Sequence, residues 1–95
     1  MYINIGGDFS VRAQNVAGIF DLDNTTSSKW TRKFLSDAQR AGEVIDAADE
    51  LPKSFLVVRE FGAQRVYLTK YNAAVLEKRM QDAARHLIPD KGEPV

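Results

Sequence analysis

Ninety-five residues with 44% apolar content suffice for one small folded domain and leave no room for a second of ordinary size. The formal net charge is zero, so no overall basic surplus announces nucleic acid and no acidic one a basic partner. The absence of cysteine removes disulfides, a thiolate nucleophile and cysteine-bound zinc together.

The charges are unevenly placed. Residues 1–50 carry five Lys/Arg against eight Asp/Glu, and residues 51–95 carry eight against five. That asymmetry suits head-to-tail contact between copies as well as it suits a polyanion, because phosphate binding needs clustered cations rather than a total. No apolar run approaches the roughly eighteen residues of a membrane span, and no basic, small-residue-terminated leader opens the chain. The expectation is a cytoplasmic protein without a membrane segment.

In chain order, Tyr2–Ile5 reads as a short strand closed by Gly6-Gly7-Asp8, a hairpin signal because glycine accepts positive φ. Phe9–Arg12 should return beside it, and Val16–Leu22 reads as a further strand running into the polar cluster Asp23-Asn24-Thr25-Thr26-Ser27. A helix is predicted from about Lys29 to Ala41, capped by Ser27 or Ser28 and stopped by Gly42. Its buried face should be Trp30, Phe34, Ala38 and Ala41, with Lys29, Arg32, Lys33 and Arg40 outside and Lys33 spaced to pair with Asp37.

Glu43–Ala47 reads as a short strand, followed by a loop through Pro52. Lys53–Glu60 and Arg65–Lys70 should form a hairpin around Phe61-Gly62-Ala63-Gln64. Asn72 should cap a second helix to about Leu87, with Leu76, Met80, Ala83, Ala84 and Leu87 on one side. The expected fold is α+β: a small, mainly antiparallel sheet with two helices in one domain over residues 1–87, then a frayed tail over 88–95.

Phe55-Leu56-Val57-Val58 is an unbroken apolar run, so both faces of that strand should be shielded from water. Val16–Leu22 likewise puts apolar residues on both faces, with Ile19 opposite Phe20. Two helices cover one face of a small sheet more readily than both. Ile19, Phe55 and Val57 are therefore the residues expected to meet a second copy, and a homo-oligomer is expected.

The segment Gly18-Ile19-Phe20-Asp21-Leu22-Asp23-Asn24-Thr25-Thr26 resembles the nucleophile loop of haloacid dehalogenase phosphatases. That chemistry also needs a phosphate-holding hydroxyl and lysine, and magnesium-binding carboxylates at the ends of later parallel strands. Asp82 falls within a predicted helix and Asp90 in the tail, so neither follows a strand. Asp23 and Asn24 are read as turn formers, and a phosphatase-like enzyme is the remote alternative. His86 is the lone histidine, and Asp46, Asp49 and Glu50 match no metal-ligand spacing. Gly6-Gly7 lacks the helix and lysine of a phosphate loop. No catalytic, cofactor-binding or metal residue is nominated.

The blocks MYINIGGDFSV, VAGIFDLD, DAQRAGEVIDA, PKSFLVV and VYL, in this order over about residues 1–80, carry a broader likeness. They resemble the Rem family of small bacterial extracellular-matrix (biofilm) regulators, with Tyr2–Asp8, the Ile-Phe-Asp strand and Pro-Lys-Ser pointing to its RemB-like branch. The resemblance implies a self-associating sheet-and-helix domain and, for the RemA-like side, DNA binding through arginines that activates matrix genes. At those arginine positions this chain has Asn15, Leu51 and Pro52, with Lys53 as the cation left nearby and Asp49 and Glu50 adding negative charge. The cations nominated for DNA are Arg12, Lys53 and Arg65 on the sheet and loop side, with Arg32 on the first helix. Two readings follow: an oligomeric regulator with weak multivalent DNA contacts, or a self-associating protein-interaction module that does not touch DNA.

Overall fold

The computed structural model describes residues 1–22 and 28–87, with side chains as far as Arg85. The expectations for the Asp23–Ser27 turn, for His86 and Leu87 as side chains, and for the tail lie outside the described residues. The first hairpin forms where its glycines place it. Strand β1 (Tyr2–Gly6) pairs antiparallel with β2 (Phe9–Arg12), and Gly6 and Gly7 hold φ of +141° and +52°. The period of two buries Ile3, Ile5 and Val11 and leaves Tyr2 and Asn4 outside. The Asn4 amide closes the turn by donating to the carbonyls of Gly7 and Phe9, each at 3.1 Å.

A 3-10 turn (Ala13–Asn15) leads into β3 (Val16–Asp21), an edge of a second sheet. That sheet has the order β3-β5-β6-β4, with β4 (Val44–Asp46), β5 (Ser54–Glu60) and β6 (Ala63–Thr69). β3–β5 and β5–β6 are antiparallel, whereas β4 runs parallel to β6. The sheet is mixed but mainly antiparallel, and the α+β class stands. The connection between β5 and β6 is tighter than expected. It is the two-residue turn Phe61-Gly62, with φ of +53° and +77°, the both-positive geometry that matches strand twist in a hairpin.

Helix α1 (Lys29–Arg40) begins at Ser28, whose hydroxyl accepts from the Thr31 amide at 3.4 Å, and is followed by Gly42 at φ +74°. Ser28→Ala should destabilise the domain by about 0.5–1 kcal/mol in urea unfolding, with the slope of the transition unchanged. Lys33 pairs with Asp37 at 3.2 Å, as its spacing predicts, and Arg40 reaches the same carboxylate at 3.0 Å. The buried stripe is rotated from the expected one. Thr31 and Ala38 are buried with Phe34 and Leu35 half-buried, while Trp30 is 58% exposed and Ala41 lies outside. Helix α2 (Ala73–Leu87) is capped by Asn72, whose Oδ1 accepts from the Val75 amide at 2.9 Å. It buries Leu76 and Ala83, half-buries Met80, and exposes Ala84, contrary to expectation.

The core lies on both sides of β5. Leu56 and Val58 pack with Ile3, Ile5, Val11, Leu76 and Ala83, under the hairpin and α2. Phe55 and Val57 pack on the other side with Leu22, Ala38 and Val66, joined by Phe20, Phe34 and Leu35, under α1. The premise that the helices leave one face bare is therefore corrected. The β1–β2 hairpin does not extend the sheet; it lies as a layer over one face and frees α1 to roof the other. Phe55 and Val57 are 0% and 7% exposed, so neither is available to a second copy in this fold. Ile19 is half-buried on the edge strand. A buried hydroxyl fastens the hairpin layer, and a second ties β5 to the chain after β6. Thr69 Oγ1 donates to the Ile5 carbonyl at 2.6 Å and accepts from the Tyr71 amide at 3.1 Å, and Ser54 Oγ donates to the Tyr71 carbonyl at 2.6 Å.

Candidate nucleic-acid interface

Strand β5 sets the distances between the nominated cations. Lys53 immediately precedes it, where the Lys53 amide donates to the Thr69 carbonyl and the Lys53 carbonyl accepts from the Leu22 amide. Its backbone is thus fixed between neighbouring strands while its side chain is exposed. Arg65 stands opposite Val58 near the other end of β5, on the side that carries the hairpin. A strand of this length separates the two ends by roughly 20 Å.

Arg12 lies on the Arg65 side. Its Nε donates to the Tyr2 hydroxyl at 3.3 Å, and its guanidinium sits 5.7 Å from the Tyr2 ring centroid. The hydrogen bond to Tyr2 is the main cause that pushes the Arg12 pKa up, with the charge of Glu60 a smaller one in the same direction. Asn15 Nδ2 donates to Glu60 Oε2 at 3.1 Å. Glu60 also lines a recess of about 190 Å³ with Phe61, Arg65 and Tyr67. One carboxylate therefore sits amid both arginines and the asparagine, and it lowers the positive potential that Arg12 and Arg65 build.

Arg32 is exposed on α1, the helix that covers the opposite face of the sheet. The four nominated cations thus occupy three places: Arg12 with Arg65, Lys53 by itself, and Arg32 beyond the sheet. None of the ion pairs found among the described residues involves any of the four. Beside Lys53, Asp49 (at φ +61°) and Glu50 are exposed, Leu51 is 84% exposed and Pro52 half-buried. Asp46 serves this loop, Oδ1 accepting from the Ala48 amide at 2.9 Å. Among the described residues no group of three or more His, Asp or Glu is placed to hold a metal. No helix among them is long and apolar enough to cross a membrane. Asp21 ends a strand antiparallel to its neighbour β5, which is not the parallel arrangement that phosphatase chemistry uses.

Sequence reasoning passed over Arg59 and Phe61. Arg59 is exposed opposite Gln64, and Phe61 is 97% exposed at the tip of the β5–β6 turn. The signal for both was the Phe-Gly pair: a two-residue turn there fixes the register of both strands and puts the ring at the apex.

Residues 2–80 match the model of the RemA-like family, described as extracellular matrix regulatory protein A-like. Extracellular matrix regulatory protein B of Bacillus subtilis (strain 168) is 31% identical over 81 residues, covering 85% of this chain and 91% of that protein.

Proposed function

Since this chain belongs to the RemA-like family of extracellular-matrix regulatory proteins, on its RemB-like side, we propose that it is a non-enzymatic regulator of matrix genes that works as a homo-oligomer. In this reading it touches DNA through cations repeated around the assembly. The observation that carries the reading is the placement of exposed Arg12 and Arg65 about Glu60, the last residue of β5, and of exposed Lys53 just before its first. One copy offers too few cations, too far apart, to neutralise neighbouring phosphates. Counterion release scales with the number of phosphates met, so affinity rises steeply once copies are linked. Self-association is supported by β3, which among the described residues pairs on one side only and carries half-buried Ile19.

A titration onto duplex DNA at 50 and 200 mM salt, with protein of verified oligomeric state, tests this. Binding should weaken between the two salts, and Arg12→Glu/Arg65→Glu should weaken it further. The same double variant should flatten the log–log salt slope by about 0.9 for each phosphate it no longer neutralises. Absence of binding at 50 mM by the assembled protein rejects DNA contact. It would leave the second reading, a self-associating module that works through protein partners. That reading is favoured by Asn15, Leu51 and Pro52 in place of arginines and by Glu60 beside Arg12.

A further inference from the structure

Phe61 combines two unfavourable features. Its ring is 97% exposed, and its backbone holds φ +53°, a left-handed conformation that suits Asn, Asp or Gly at this turn position and strains a bulky residue. Strain of this kind, kept where nothing in the fold needs the side chain, points to a contact outside the fold.

We propose that Phe61 is a docking knob whose ring enters, in a second copy of this chain, the recess between β3 and α2. This rests on the reading of the protein as self-associating and names the surfaces. The recess is about 410 Å³ and is lined by Val16, Ala17, Gly18, Ile19, Met80, Gln81 and Glu77. It runs along β3, which among the described residues has no strand neighbour on its far side. Met80 supplies an adaptable thioether, a favourable neighbour for an aromatic edge.

Charge selects this recess over the one beside β1. The knob is flanked by exposed Arg59 and Arg65, while the intervening Glu60 is bonded to Asn15. Among the described residues that line it, the β3–α2 recess carries the carboxylate of Glu77 and no lysine or arginine. The recess of about 270 Å³ beside β1 carries Arg79, a like charge to the knob's flanks, and its Asp82 pairs with Arg85 at 3.9 Å. Complementary sign favours the first and repulsion opposes the second.

The variant Phe61→Asn separates the knob from the fold, because asparagine tolerates the turn conformation. In the absence of nucleic acid it should raise the unfolding midpoint by about 4–8 °C, measured at a concentration where both proteins are monomeric. Over a concentration series in sedimentation velocity it should weaken self-association roughly 10- to 100-fold. Arg59→Glu should weaken association as well, and Glu77→Arg in the same chain should restore it. If Phe61→Asn assembles like the parent, the knob is wrong and self-association stands. If the parent is a monomer throughout, both fall. If the charge exchange fails to restore association while Phe61→Asn abolishes it, the recess is misassigned.

Discussion

Gly6→Ala should leave the domain largely unfolded or lower its stability by about 3–5 kcal/mol, a large share of the roughly 5–15 kcal/mol that holds a small domain together. A Cβ on Gly6 would lie 2.4 Å from the Ala47 carbonyl oxygen, and its φ of +141° belongs to a region that L side chains avoid. The obstacle is backbone, not the end of a flexible side chain. It cannot easily retreat, because the Ala47 amide is bonded to the Leu68 carbonyl at 2.8 Å and Ala47 itself is 3% exposed. Gly6 is thus where the hairpin layer meets the end of β4. Gly42→Ala is the matched comparison: its φ is +74° with nothing within 4 Å, so it should lose only the left-handed strain, about 1–2 kcal/mol. Urea unfolding of both variants measures the difference. Equal losses would show that the close approach at Ala47 does not hold the hairpin.

Phe55→Ala should destabilise by about 3–5 kcal/mol, the range for truncating a fully buried phenylalanine. Phe55 is 0% exposed, and its ring lies 5.0 Å from Phe20 and 6.0 Å from Phe34, both near-parallel. Those two rings in turn meet Trp30 at 5.9 and 5.4 Å. Removing the ring that supports Phe20 and Phe34 leaves a void under α1 and loosens the seat of Trp30. Trp30 fluorescence should therefore shift toward the solvent-exposed value under conditions where the variant is still folded. Trp30→Ala, at a side chain already 58% exposed, should lose less than half as much stability. A Phe55 variant as stable as the parent would return that position to the role expected from sequence, a surface waiting for a partner.

The candidate site was less legible than the fold. Arg12, Lys53, Arg65 and Arg32 were each readable as exposed cations, but their grouping depends on β5 separating Lys53 from Arg65 and on α1 lying across the sheet from both. The Glu60–Asn15 bond spans 45 positions, and no local pattern announces it. Glu60 thus entered the site unforeseen, as did Phe61, whose exposure follows from a turn two residues shorter than the four-residue connection read from the sequence.

What the sequence by itself determined is what acts within a few residues: the Gly6-Gly7 hairpin, the Ser28 and Asn72 caps, the stop at Gly42, the Lys33–Asp37 pair and the doubly shielded run Phe55–Val58. Each follows from backbone conformational preference or from periodicity, and neither needs a distant partner. Tertiary structure alone decided that the hairpin becomes a covering layer, that β4 joins β6 in parallel, and that Trp30 stays outside while Thr31 goes in. An apolar face states only that it must be covered. Which element covers it depends on contacts between residues far apart in the chain, where the free energy of packing chooses among roofs that local pattern leaves equivalent.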